Sequence, residues 1–295
     1  MERVLKDKKA ICIFVLPAIF IYGYIVLFSI GKSVSYTFYN GIPGLDFEFS
    51  GLENYKSMLM DPVFWQTIRT NLKYVSFVVS GQVGLGLLVS LFLMFGIKKY
   101  KNLVRTIIFF PVVLPSVATS QLFVKVFEIQ PNLGLLNSLL KLIGQEQLIH
   151  PWLSDSATAL WCAAGADIWK ALGLYALLFY AGLAEVPQDV LEAAKVDGAT
   201  KIQTITKIIL PLIKSTFSMC LIFSLTGTLK VFESIYALTA GGPGTSTLMP
   251  TMYMYNSAFS YGEYGFGSSI AFFILMECLI ITVIIGKLFS KDHTQ

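Results

Sequence analysis

The chain has 295 residues, of which 55% are apolar and only 14% charged, with a mean hydropathy of +0.68 and a formal net charge of +4. A soluble core of ordinary composition cannot absorb that much apolar surface, so the chain reads as an all-α integral membrane protein. Its continuous apolar runs, which do not alternate, exclude a closed β-barrel.

Six segments approach or reach the ~20 residues that cross ~30 Å of hydrocarbon as helix: Ala10 to Ile30, Leu72 to Met94, Thr106 to Phe127, Ala157 to Leu183, Thr216 to Leu238 and Ser269 to Phe289. The first follows a basic stretch, Met1 to Lys9. It is longer than the apolar part of a secretory signal and no small-residue cleavage site follows cleanly, so an uncleaved first helix is expected. The chain then divides into residues 1–71, the first span with its outer loop, and a core of five helices over 72–290. Between Lys32 and Asn71 lie Gly41-Ile-Pro-Gly44, four acids and the aromatics Tyr55, Phe64 and Trp65, too polar a loop to enter the membrane. In the third span Pro111 and Pro115 remove backbone donors and predict a kink or break. After it, Leu133, Leu136, Leu139, Leu140 and Ile143 recur at helical spacing, as in a short interfacial helix covering the bundle.

Orientation follows from lysine and arginine, because short basic loops stay in the cytoplasm. Arg3, Lys6, Lys8 and Lys9, then Lys98, Lys99, Lys101 and Arg105, then Lys195, Lys201, Lys207 and Lys214, and finally Lys287 and Lys291 fall on one side. Lys32, Lys56, Arg69, Lys73, Lys125 and Lys141 form the smaller set on the other. Both termini are expected in the cytoplasm, and this topology accounts for the net charge without nucleic acid as a partner. Cys12, Cys162, Cys220 and Cys278 lie in four different spans with no C-x-x-C, as packing residues do. His150 and His293 stand apart, so no histidine metal site is expected.

The segment from 185 to 214 is polar and much longer than a connection between spans requires. Pro187 suits the first position of a helix over Gln188 to Val196, with Val190, Leu191 and Ala194 on one face. Gly198 ends it, and Thr200-x-x-Gln203 has the spacing of a capping box that opens a second helix with Ile202, Ile205, Ile208 and Ile209 along its buried side. Such a hairpin offers a docking surface to a cytoplasmic partner, Ala193 and Ala194 permitting close approach and Glu192 presenting a charge.

Glu192-Ala-Ala, followed by Asp197-Gly-Ala199 and by Pro211 after an apolar helix, resembles the EAA loop of permeases of binding-protein-dependent ABC transporters, in the carbohydrate-uptake family. Ser50-Gly-Leu-Glu-Asn-Tyr-Lys56, Asp61-Pro-Val-Phe-Trp65, Gly134-Leu-Leu-Asn137 and Trp169 sit where MalF-type sugar permeases have similar residues. Leu238-Thr-Ala-Gly-Gly-Pro243 with Thr247 is similar to the outer-loop signature of that subunit type. The resemblance implies the ABC importer type I permease fold with six transmembrane helices, in the cytoplasmic (inner) membrane of a bacterium or archaeon. It also implies a second, MalG-type permease subunit, two ATPase subunits beneath the pair, and an extracytoplasmic solute-binding protein that delivers a sugar. ATP and Mg would be used by the ATPase, this chain binding no cofactor and being no enzyme. Glu192, Ala193, Ala194, Asp197 and Gly198 would form the coupling helix.

Charges within spans cost ~2.5–3.5 kcal/mol at the bilayer centre unless paired or wet. Asp167 and Lys170, like Lys230 and Glu233, are three residues apart, a spacing that suits intrahelical ion pairs. Ser224, Thr228 and Val231, at i, i+4 and i+7, share one face of the fifth span. In the MalF type the matching positions line the sugar site, and Lys170 and Ala171 match others on the fourth span. Relatives carry carboxamides where this chain has Thr228 and Val231, which implies fewer hydrogen bonds to sugar or a different sugar. The outer loop before the sixth span has no lysine or arginine and carries Tyr253, Tyr255, Asn256 and Tyr261, so a neutral oligosaccharide is expected. The alternative is another solute, such as a glycerol phosphate or an acidic sugar.

Other classes fit less well. Gly31-Lys-Ser33 has Val26 where a P-loop needs its first glycine, so the chain carries no ATPase site of its own. A membrane transferase would need carboxylates clustered for Mg²⁺, and the aspartates are scattered. Two homologous halves, the mark of many secondary carriers, are not apparent.

Overall fold

A computed structural model describes residues 8–97 and 99–290; Arg3, Lys6, Lys98, Lys291 and His293 lie outside the described residues. The elements in chain order are α1 (Cys12–Tyr36), β1 (Tyr39–Asn40), β2 (Glu48–Phe49), α2 (Glu53–Met60), α3 (Pro62–Gly96), α4 (Asn102–Val113), α5 (Ser116–Phe127), α6 (Leu135–Leu142), α7 (Ala159–Ala184), α8 (Gln188–Val196), α9 (Lys201–Leu212), α10 (Lys214–Leu229), α11 (Glu233–Thr239), α12 (Pro250–Tyr255) and α13 (Tyr264–Phe289). Helices α1, α3, α7 and α13 are each long and apolar enough to cross a membrane. The bent pairs α4–α5 and α9–α10 make up to six if each is one span.

The 103° bend between α4 and α5 falls at Leu114-Pro115, where the two prolines predict it. Two spans depart from expectation. α3 begins at Pro62, ten residues before Leu72, because Pro62 suits a first turn and Asp61 accepts the Val63 N–H at 2.8 Å. One face of its polar opening turns is packed inside, with Thr67 and Asn71 buried, while Gln66, Arg69 and Lys73 are exposed. The fifth span is expected to run to Leu238, yet α10 stops at Leu229 and α11 starts afresh at Glu233. No proline marks this break. Its freed carbonyls are taken up by neighbours: Asn71 Nδ2 donates to Leu229 O at 3.4 Å, and Thr251 Oγ1 donates to Val231 O.

Packing divides the chain into two compact units, one of Met1–Phe64 with Tyr253–Phe273, the other of Trp65–Met252 with Ile274–Gln295. The first unit therefore draws on both 1–71 and 72–290. It is organised around buried Asn54, whose amide donates to Thr37 O (3.0 Å) and Tyr39 O (2.9 Å), closing the β1–β2 turn onto α2. Gly265 lies against the Tyr39 carbonyl where a Cβ would collide.

The second unit has an apolar core in which Val75, Val79 and Val83 of α3 meet Tyr175, Phe179 and Leu183 of α7 and Cys220 and Leu229 of α10. Gly173 lets α7 approach α4: an added Cβ would lie 2.5 Å from Ile108 O. The loop after α11 closes through Thr247, which donates to Gly242 O at 2.8 Å and pairs with Thr239 at 2.7 Å. Of the expected stripe, Leu133, Leu136 and Leu140 are half-buried, whereas Leu139 and Ile143, like Leu135 and Leu142 off the stripe, are exposed; the deepest anchor is Asn137, fully buried. Its Nδ2 donates to Glu128 O (3.2 Å) and His150 O (3.1 Å), while Oδ1 accepts from Trp152 Nε1 (2.9 Å) and His150 N (3.3 Å). The outward leucines suit a helix lying at a lipid interface.

Asn137→Ala should strand these groups and cost about 1–3 kcal/mol, lowering the apparent unfolding temperature in detergent by several degrees. Leu139→Ser should stay within about 0.5 kcal/mol of wild type. Equal losses would show that the leucine face is the anchor.

Candidate functional site

The hairpin over 185–214 folds from local signals. Pro187 stands one position earlier than expected, at the N-cap with ψ 134°, and α8 follows over Gln188–Val196. Gly198 adopts φ +77°, and the helix ends with Gly198 N–H donating to Lys195 O (3.2 Å) and Ala199 N–H to Ala194 O (2.9 Å), the paired bonds of a Schellman ending. The capping box is complete: Thr200 N–H donates to Gln203 Oε1 at 2.8 Å and Gln203 N–H donates to Thr200 Oγ1 at 3.3 Å. Ala194 is buried, whereas Glu192, Ala193, Asp197 and Gly198 are exposed. The buried side of the second helix is shorter than expected. Ile209 is buried, but Ile202 is 74% exposed in the first turn of α9, and Val196 at the end of α8 is 87% exposed.

In the second unit, α3, α4, α5, α7, α10, the break after it and the start of α11 line an open cavity of about 680 Å³. Lys170 and Ala171 of α7, Ser224 and Thr228 of α10 and Val231 in the break all line it. The break, by ending α10 at Leu229, carries Val231 out of the helical face on which sequence spacing puts it.

The charges are arranged otherwise than their spacing suggests. Among the described residues the ion pairs are Lys125–Glu128 and His150–Asp155, both at 2.7 Å; Asp167–Lys170 and Lys230–Glu233 are not paired. Asp167 Oδ2 instead accepts from Tyr74 OH of α3 at 2.5 Å and Ser234 OH of α11 at 2.8 Å, and Lys170 Nζ donates to Ser116 Oγ of α5 at 2.5 Å. Lys230 and Glu233 lie on either side of the break, so no continuous helical turn brings them together. Further bonds hold the α11 side of this wall: Ser120 Oγ to Ser234 O (3.2 Å) and Gln121 Nε2 to Ala237 O (3.1 Å) fasten α11 to α5.

Ser224 OH donates to Gln82 Oε1 at 2.7 Å, and Thr228 OH donates to Ser224 O at 2.7 Å. Both hydroxyls spend their proton within the wall and keep only acceptor capacity for a solute. Sequence reasoning missed Tyr74, Gln82, Ser116 and Ser234. The signal for two of them was available: Asn71, Tyr74 and Gln82 recur at helical spacing on one face of α3. Among the described residues no three His, Cys, Asp or Glu side chains gather to hold a metal. The cavity wall presents charged groups, an amide and hydroxyl oxygens, so it can hydrogen-bond a polar solute.

Beside this geometry stand the likenesses to known proteins. The profile of the family described as "Binding-protein-dependent transport system inner membrane component" matches residues 82–293. The chain is 34% identical over 248 residues to the probable ABC transporter permease protein YurN of Bacillus subtilis (strain 168), covering 84% of each. It is 31% identical over 246 residues to the trehalose/maltose transport system permease protein MalF of Thermococcus litoralis, covering 83% of this chain and 81% of that one. In fold it matches a chain of a bacterial alginate ABC transporter, solved with an alginate pentasaccharide-bound periplasmic protein, at a TM-score of 0.85 and 22% identity over 100% of this chain and 98% of that one.

If hydroxyls rather than an ion pair hold Asp167, Tyr74→Phe should destabilise the purified subunit by about 1.5–3 kcal/mol, the range for a hydrogen bond to a charged group. Lys170→Met should cost less in the same thermal unfolding measurement. The opposite order would reinstate the ion pair.

Proposed function

The chain belongs to the family of binding-protein-dependent transport system inner membrane components, transport proteins and not enzymes, and on that footing we propose that it forms half of the path of an ATP-driven sugar importer. The observation that carries this reading is the connection of hairpin to cavity. α7 carries Lys170 and Ala171 and runs into α8, and α9 runs into α10 with Ser224 and Thr228. At ~1.5 Å per residue, Ala184 lies roughly 20 Å along α7 from Lys170, so a displacement of the hairpin is delivered by helices to the cavity wall.

In this reading Glu192, Ala193, Ala194, Asp197 and Gly198 seat in a cleft of one of two ATPase subunits, which use the ATP and Mg. A second, MalG-type permease closes the cavity, and an extracytoplasmic solute-binding protein supplies the solute. Six spans, with both termini inside, cross the cytoplasmic (inner) membrane of a bacterium or archaeon. The sugar class is supported by the trehalose/maltose permease relative and by the alginate transporter of the same fold. A neutral oligosaccharide remains the first choice; the absence of ion pairs at Lys170 and Lys230 favours an acidic sugar as the second.

With the complex reconstituted together with its binding protein, Glu192→Ala and Gly198→Val should lower sugar-stimulated ATP hydrolysis by about 5- to 150-fold, the range of a coupling energy of 1–3 kcal/mol. Ser224→Leu with Thr228→Leu should abolish uptake without disassembling the complex. Wild-type stimulation in both hairpin variants sinks the coupling role, and persistent uptake in the double variant sinks the cavity.

For the topology, single cysteines in a Cys-free background should separate cleanly. Thr245→Cys should react with an impermeant thiol reagent added outside intact cells, and Lys99→Cys and Lys201→Cys should react only after lysis. Labelling of Lys201→Cys from outside would invert the arrangement.

A further inference from the structure

One face of α11 carries two rings into two different cavities. Phe232, the N-cap residue, is in the wall of the 680 Å³ cavity, and Tyr236, one turn on, is in the wall of a second hollow of about 500 Å³. Their planes lie 23° apart with centroids at 5.3 Å, and Tyr236 N–H donates to Phe232 O at 2.8 Å, so a single helical turn holds the rings in register. Tyr236 is 50% exposed. Neither the hairpin nor the first cavity uses it.

The second hollow lies where the end of α5 and the segment after it meet the loop before α7 and the last turn of α11. Both sides are fixed: Gln121 of α5 donates to Ala237 O of α11 at 3.1 Å, and buried Asn137 gathers the Glu128 and His150 carbonyls. The wall presents a carboxylate (Glu128), an amide (Gln130) and a hydroxyl (Ser154) beside the Tyr236 ring. Glu128 gives Oε1 to Lys125 at 2.7 Å and keeps acceptor capacity in its other oxygen. None of the lining residues is basic. A preformed hollow with an aromatic plane, a few polar groups and no cation suits the apolar face and hydroxyl rim of an uncharged sugar ring. A phosphate or carboxylate would meet Glu128 with nothing in the wall to neutralise it.

We infer that this hollow is a second carbohydrate subsite: a neutral sugar ring stacks on Tyr236 while its hydroxyls bond to Glu128 and Gln130. The inference rests on the sugar-importer reading above. A short sugar seated in the first cavity makes no use of the second, whereas a longer one extends over Phe232 onto Tyr236. The two rings then set how chain length is read.

Uptake of maltose and of maltotetraose, each at saturation, by the complex reconstituted with its binding protein tests it. Tyr236→Ala and Gln130→Ala should each slow maltotetraose at least about tenfold and maltose less than about twofold, while Tyr236→Phe, which keeps the stacking plane, should stay near wild type for both. The binding protein is the same in every assay, so a change that depends on sugar length belongs to the permease. Equal slowing of both sugars in Tyr236→Ala makes the ring a clamp for α11 and overturns the subsite, as do unchanged rates for both. A wild-type complex that takes up maltose but not maltotetraose overturns this inference alone. One that takes up neither overturns the neutral-oligosaccharide reading and this inference with it.

Discussion

Hydrocarbon supplies no hydrogen bonds, so every carbonyl released by a broken membrane helix must find its donor within protein or in a wet cavity. Two of the spans in this chain are broken or bent near the cavity, and the residues that answer the freed groups organise the second unit. Asn71 takes Leu229 O and Thr251 takes Val231 O, and Ser120 adds a bond to Ser234 O in the first turn of the helix that resumes after the break, so α3, α12 and α5 each contribute to holding it. The cavity exists because α10 does not continue: a helix uninterrupted to Leu238 would leave no gap for Lys230 and Val231 to border.

The same constraint explains why hydroxyls replace ion pairs. An i,i+3 salt bridge joins two groups of one helix and stabilises that helix alone. Tyr74 and Ser234 converging on Asp167, and Ser116 receiving Lys170, tie four segments to one another while satisfying the same charges. Hydrogen bonds to charged groups are worth about 1.5–3 kcal/mol each, enough to fix one arrangement of the wall. Buried asparagines do comparable work outside the bilayer core, where Asn54 and Asn137 each gather several backbone groups of irregular loops.

Family membership gives these parts a direction. The hairpin is rigidified by its caps while its exposed face carries Glu192 and two outward aliphatics, and both of its ends are covalently continuous with cavity helices. A surface that is locally stiff and joined to the wall at both ends transmits displacement. A flexible loop of the same length would dissipate it.

Much of this was legible in the amino-acid order, because it depends on short-range signals. Hydropathy located the four long apolar helices, Pro111 and Pro115 marked the bend, and Gly198 with Thr200 and Gln203 marked the caps, since each acts through its own backbone or a partner three residues away. The spacing of Glu192-Ala-Ala to Gly198 identified the family. What spacing could not decide was whatever depended on a partner distant in the chain. Asp167 lies three residues from Lys170, yet its bonds go to residues 93 and 67 positions away. α10 ends at Leu229 with no proline of its own, and α6 is anchored by Asn137, which bonds backbone groups 9 and 13 positions away. A helical period states which residues share a face, and only packing states what that face meets.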